Sequence, residues 1–452
     1  MQLSVSILVV SVLGLFLSCV FPSADRGVPW TLGGPQTESL KTSLIQMPPF
    51  TPEDIDGVRA SFPALSGDYI FFNTAAGSQV LGSVADRVRD YLITPNLVND
   101  GYKAAADFIN ASPDEIVFGS SATQLLYNLS HALSFSPEDE ILLCPLDHES
   151  NIAPWLALAA RQNLKVRWWH PQLPPEDQPG CVNPKLDLTN PPISPKTRLI
   201  CLTHTTNILG TIHDIKSLSA KIRLLNPQTL LCVDGVAHAP HRRIDVKDLG
   251  VDFYVFSWYK LFGPRISQLY ASPCARAQLQ SMGHFFNPAE SLDDKIGLAG
   301  GWCQELIYGI LAVVKYLTPR WEGVVDQEER LQSVLLGLLA GLDGKITIYG
   351  EWCGDAKVRV PTVSFRVRGW KSKDFVEAIE RETNGRVKVS WGTYYSVRLA
   401  KEVLGLGDDG VVRVSLAHYN TVEEIRLFYT ALLKVLGLEG SGNGARESDW
   451  KI

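Results

Sequence analysis

The sequence predicts an α/β protein. A large domain carries a mostly parallel seven-stranded sheet, and a smaller C-terminal α+β domain follows it. Three observations carry this. Between residues 115 and 271, short apolar runs alternate with helical stretches. The runs are continuously apolar, as in strands covered by helices on both faces. After a long amphipathic helix at Glu305–Leu317 the pattern changes to strands and helices of a second kind.

Length and composition allow this. With 452 residues, the chain is long enough for one large and one smaller domain. Apolar residues make up 45% and charged residues 20%, ordinary for a globular enzyme. A net charge of −6 gives no electrostatic reason to expect nucleic acid.

The elements follow in order. Residues 1–24 are a hydrophobic segment. Ser4–Val20 (SVSILVVSVLGLFLSCV) is uncharged and suits a signal-peptide core or a membrane anchor. Any membrane contact is expected only there. Residues 25–50 read as a linker. The cysteines favour a cytoplasmic body: there are eight, and loss of Cys19 would leave seven, an odd number. Cys201 and Cys232 sit inside apolar strand patterns and read as small buried hydrophobes. The large domain spans 51–325. It opens with Thr51-Pro-Glu-Asp, an N-cap followed by proline and acids. Its strands are Glu115–Phe118, Glu140–Cys144, Lys165–Trp169, Arg198–Thr203, Leu230–Asp234, Asp252–Ser257 and Ile266–Ala271, with helices such as Thr123–Ala132 and Ile215–Leu225 between. The small domain, 326–438, has strands at Lys345–Tyr349, Thr362–Arg368 and Val411–Leu416 and helices at Lys373–Glu382 and Thr421–Leu436. Residues 439–452 are polar and Gly-rich and read as a disordered tail.

Ligands of such sheets bind outside the carboxyl ends of the strands. Two residues there carry chemistry. Asp234 ends the run LLCVD, and Lys260 ends the run VDFYVFSWYK. An acid at one strand end and a lysine at a later one suit pyridoxal 5′-phosphate (PLP). The amine forms a Schiff base with the aldehyde, and the acid keeps the pyridine nitrogen protonated. Gly119–Gln124 (GSSATQ) follows a strand and opens a helix, as a phosphate site requires, although an ordinary N-cap has the same composition. His148 follows another strand end, where it would stack on the ring and shuttle protons, or serve as a structural hydrogen-bonder. Asn207 is placed to donate to the cofactor's phenolic oxygen, or to make a turn before Gly210. Ser257 is in reach of the phosphate. Arg413 stands among apolar neighbours in a strand and suits a substrate carboxylate.

Taken together, these segments resemble the class V aminotransferase family of fold-type I PLP-dependent transferases, which includes cysteine desulfurases. The matching segments are Tyr69–Gln79, Gly119–Gln124, Asp147–Trp155, Thr206–Thr211, Val233–Val246, Val251–Pro264 and Val412–Thr421. The wording SWYK at Ser257–Lys260 resembles the isopenicillin-N-epimerase-like branch. The resemblance implies PLP on Lys260, with Asp234 at the pyridinium and His148 stacked. It implies Asn207 at the ring oxygen, and Ala122, Thr123 and Ser257 at the phosphate. Arg413 takes the substrate carboxylate. It also implies an amino-acid substrate and a homodimer with shared active sites, to which Gly300-Gly301 would contribute.

Three departures stand out. Val387–Tyr395 (VKVSWGTYY) holds no cysteine where desulfurases carry their nucleophile, and Cys353 lies well upstream. A persulfide-forming desulfurase is therefore disfavoured, whereas C–S cleavage without persulfide is not. Ala237 stands where relatives place Gln or His beside the cofactor, and the adjacent His238 either compensates or points away. The stretch from Tyr91 to Asp107 is compressed relative to the family. The motif GLGDDG at Gly405–Gly410 precedes a strand, so it is no dinucleotide loop. His238 and His241 lack a third ligand at zinc-like spacing, so no metal is expected. The expected function is lyase or transferase chemistry at the α-carbon or C–S bond of an amino acid in small-molecule biosynthesis. Epimerisation comes next, and a non-catalytic PLP-fold protein is the rival from another class.

Overall fold

A computed structural model describes residues 51–94, 98–173, 180–286, 289–298, 303–342 and 344–438. The hydrophobic N-terminal segment, the linker, Gly300-Gly301 and the C-terminal tail lie outside the described residues. Among the described residues no helix is long and apolar enough to cross a membrane.

In chain order the strands are β1 (Ile70–Phe71), β2 (Ile116–Gly119), β3 (Glu140–Leu143), β4 (Lys165–Trp168), β5 (Cys181–Val182), β6 (Thr197–Thr203), β7 (Leu230–Asp234), β8 (Phe253–Ser257), β9 (Ser267–Ala271), β10 (Ile346–Tyr349), β11 (Thr362–Val367), β12 (Val387–Lys388), β13 (Ser390–Gly392) and β14 (Val411–Ser415). The helices are α1 (Pro52–Ala60), α2 (Gly82–Ile93), α3 (Val98–Asp107), α4 (Ala122–Ala132), α5 (Ala153–Gln162), α6 (Ile215–Leu225), α7 (Val246–Leu249), α8 (Pro273–Ala277), α9 (Leu292–Ile296), α10 (Gln304–Leu317), α11 (Trp321–Ala340), α12 (Ser372–Glu382) and α13 (Val422–Val435).

The seven strands read from the sequence form one sheet in the order β2-β9-β8-β7-β6-β3-β4. All its pairings are parallel except the two made by β9. Both faces are dry, which explains the unbroken apolar runs. Along β7, Leu231 and Val233 enter one core with α6 and α10, while Leu230 and Cys232 enter another with α4 and α5. Parallel register pairs Cys201 with Cys232 and Thr203 with Asp234. This aligns the carboxyl ends of β6, β7 and β8 along one rim.

The second sheet runs β13-β14-β11-β10-β5 and packs on a separate core with α11, α12 and α13. Two-residue strands carry no periodicity of their own: β5 joins this sheet beside β10, and β1 pairs with β12 in a separate two-stranded sheet. The 20-residue α11 is also absent from the sequence reading. α1 is capped by Thr51 as expected, and its Arg59 binds Glu424 on α13 at 2.9 Å.

The compressed stretch forms the end of α2 and all of α3, both packed on α10. Tyr91 donates to Gln304 at 2.6 Å and Arg87 to Tyr308 at 2.8 Å. A Cβ on Gly101 would lie 2.7 Å from the Ile307 carbonyl oxygen, so only glycine permits this approach of α3 to α10.

Candidate active site

Asp234 ends β7, with its carboxylate at the rim. Its Oδ1 accepts the Val236 N–H at 2.9 Å. Burial pushes its pKa up, against the pull of that N–H and of Lys260. The turn after it is tight: a Cβ on Gly235 would meet the Tyr254 ring at 2.2 Å. Lys260 follows β8 through a single 3₁₀ turn. Trp258, buried in that turn, donates to Gln268 at 3.0 Å and anchors it. Burial and the nearby Arg413 guanidinium lower the lysine pKa to about 8, while Asp234 raises it. An amine with that pKa is partly neutral near pH 7, as a nucleophile must be.

The remaining walls come from other strand ends. Ser121 caps α4 by accepting the Gln124 N–H at 3.1 Å, and Ser121, Ala122 and Thr123 line the cleft at the positive end of that helix. Ser257 shares a 2.7 Å hydrogen bond with Ser267. His148 uses Nδ1 to accept the Ser150 N–H at 3.1 Å, so its neutral ring carries the proton on Nε2. Burial, with Lys260 and Arg413 nearby, lowers its pKa to about 4, so the ring is uncharged at neutral pH. The loop bearing His148 is latched to β6 by Asp147, whose carboxylate accepts the Thr203 N–H at 3.0 Å and the Asn151 amide at 2.7 Å.

One cleft therefore gathers Lys260, Asp234, His148, Asn207, Ala122, Thr123 and Ser257. Two of the expected residues are not part of the cleft wall. His238 does not line the cleft. Its ring is buried and stacked on His204 at 3.5 Å, and its Nδ1 meets Thr205 Oγ1 at 2.9 Å. The helical turn after Gly235 carries position 238 behind the wall, where Thr205 faces the cleft in its stead. Arg413 stands behind Asn207 and binds that residue's carbonyl oxygen at 2.9 Å. Asn207 also has its side chain engaged. Nδ2 donates to the Tyr394 carbonyl at 3.0 Å, and Oδ1 accepts from Ser396 at 2.7 Å. One Nδ2 hydrogen is left for a cofactor.

Sequence reasoning missed Ser150, Thr203, Thr205 and Tyr259, which also line the cleft. Thr205 gave no signal, since THTTN has three threonines and a histidine of equal promise. Tyr259 was visible as the neighbour of Lys260, but a residue beside a strand end points either way.

The class-V aminotransferase family model matches residues 94–428. The chain belongs to the class-V aminotransferase family. It is 47% identical over 412 residues to the aminotransferase-like protein FGM3 of Gibberella zeae, covering 84% of this chain and 98% of that one. It is 37% identical over 407 residues to the cysteine desulfurase-like protein ustD of Aspergillus flavus, covering 85% and 91%. The fold is similar to that of the cysteine desulfurase CsdA of Escherichia coli, with a TM-score of 0.73 at 20% identity over 85% of this chain and 98% of that one. The fold-type I architecture expected from the sequence is thus shown.

The residues fit the cofactor of this family. Asp234 is a buried acid that needs a cationic partner, Lys260 is a buried amine of lowered pKa, and α4 offers its first-turn N–H groups. The stretch Val387–Tyr395, where the sequence reading expected a desulfurase to carry its nucleophile, holds no cysteine. Cys353 lies beside Arg359 and Cys181 and is not part of the cleft wall.

Proposed function

We propose that this chain is a PLP-dependent lyase or transferase that breaks a bond at the α-carbon, or the C–S bond, of an amino acid. The convergence of Lys260 and Asp234 on one cleft carries the reading. Pyridoxal 5′-phosphate, when bound, supplies an electron sink for charge developing at the substrate α-carbon. Lys260 would hold it through Nζ and would hold or deliver the α-proton there. Asp234 would keep the ring nitrogen protonated. His148, neutral and fixed by Ser150, would lie against the ring. Ala122 and Thr123 at the start of α4 would hold the phosphate together with Ser257, and Asn207 would donate to the ring oxygen. Thr205, held by His238, faces the space that Ala237 leaves open. Arg413 takes the substrate carboxylate.

The site works in a homodimer, where the partner closes the mouth of the cleft. Small-molecule biosynthesis is the setting we favour, in line with the fungal relatives. Epimerisation uses the same groups and differs in returning the proton to the opposite face.

The test is spectral. Protein purified with PLP should show the visible absorbance of covalently bound cofactor, Lys260→Ala should lose it, and an amino-acid screen should reveal which substrate shifts it. Deuterium entry at the α-carbon with inversion would identify an epimerase. A colourless wild-type protein in saturating PLP would end the proposal and favour a non-catalytic protein.

A further inference from the structure

The Arg413 guanidinium is held in a way that leaves one side open. Nη1 donates to the Asn207 carbonyl at 2.9 Å. Among the described residues, Nη2 has only a long 3.4 Å contact with Asn73 Oδ1, and Nε, though buried, has no partner. Nε and Nη2 form the same edge of the planar group, the edge that meets a carboxylate through two parallel hydrogen bonds. A buried, unmet donor on a cation is costly, so it calls for a reason, and a ligand that satisfies it is one such reason.

The face of the cation is covered. Arg413 Cζ lies 3.6 Å from the centroid of the Tyr394 ring, in stacking contact. The turn that brings this ring there is strained. Tyr394 and Tyr395 both have left-handed backbones, with φ of 50° and 60°, which large side chains seldom adopt. Four hydrogen bonds hold it. Asn207 donates to the Tyr394 carbonyl at 3.0 Å, and Ser396 donates to Asn207 at 2.7 Å. The Glu149 N–H binds the Tyr395 carbonyl at 2.9 Å, and the Tyr394 hydroxyl reaches Ser390 at 3.1 Å. Tyr395 in turn sets its ring 5.4 Å from that of His148.

We propose that Tyr394 is a positioning residue for substrate: its ring closes the face of Arg413 and confines an amino-acid carboxylate to the Nε/Nη2 edge, where it replaces the weak Asn73 contact. The proposal rests on the reading of Arg413 as the carboxylate site. The desolvated cation then binds the anion more tightly, and the fixed edge sets the orientation of the α-carbon.

The experiment uses the PLP-loaded full chain and two probes: the amino acid that responds in the screen above, and its carboxamide, which lacks the negative charge. Half-saturating concentrations are read from the visible spectrum for wild type, Tyr394→Ala, Tyr394→Phe and Arg413→Leu. Tyr394→Ala should raise the value for the amino acid about tenfold or more and leave that for the amide unchanged. Tyr394→Phe, which keeps the ring, should stay near wild type. Equal weakening of both probes by Tyr394→Ala would show a merely structural residue and overturn the proposal, as would no change for either. If Arg413→Leu also binds the amino acid normally, the carboxylate site itself is wrong. If the wild type responds to neither probe, both readings fall together.

Discussion

Lys260 is held between two influences, and its neighbours predict how it responds to pH. Only the neutral amine captures the cofactor. Since the folded pKa is lowered to about 8, capture by the cofactor-free protein should accelerate as pH rises through about 8 and then level off. Arg413→Leu removes a repelling charge, so the midpoint should move upward. Stopped-flow absorbance against pH measures both. The meeting of Lys260 and Asp234 at one rim was legible in the sequence because strand ends and residue types coincide there. Which way His238 points was left open by the sequence, because a turn after glycine fixes no side-chain direction until the helix geometry is known. The open edge of Arg413 was equally hidden, since it depends on partners 206 and 340 positions away.

Long buried strands announce themselves, and the seven of the main sheet were readable for that reason. β1, β5, β12 and β13 span two or three residues, too few for any pattern, and only their ladders reveal them. The glycines make the strongest predictions for whole elements. Gly101→Ala would drive a methyl into the Ile307 carbonyl and force α3 away from α10, at a cost of about 1–3 kcal/mol. The thermal midpoint should fall by several degrees. Gly57→Ala in α1 meets nothing within 4 Å and should stabilise by up to about 1 kcal/mol. Parallel thermal scans of the two variants check this pair, and equal shifts would contradict the packing account.

Across the molecule, the turn after β7 is tied to α11 of the second core. Glu328 on α11 is completely buried and accepts from Arg242 at 3.0 Å, with His241 at 2.8 Å on its other oxygen. Glu328→Ala would leave the Arg242 guanidinium without its carboxylate in a largely dry setting, costing about 3–5 kcal/mol. The variant should unfold at markedly lower urea, and replacing Arg242 as well should restore part of the loss. The buried histidines add an acid limit. Burial lowers the pKa of His204 and His418 to about 3, below the value near 6.5 expected of an unfolded chain. The unfolded state therefore takes up protons that the native state refuses. This part of the stability is complete above pH 6.5 and declines as pH falls from there towards 3. Asp147, pushed up by burial, acts in the opposite sense. Urea midpoints between pH 7 and 5 should decline, and less so in His204→Phe relative to its own value at pH 7.

The paired left-handed tyrosines also bear on redesign. A glycine at 395 would relax the backbone there and raise the melting temperature, while loosening the arm that steers the neighbouring ring. Variants selected for robustness at this corner are thus expected to become more permissive towards amines lacking an acid group, and selection for fidelity would keep the tension in place.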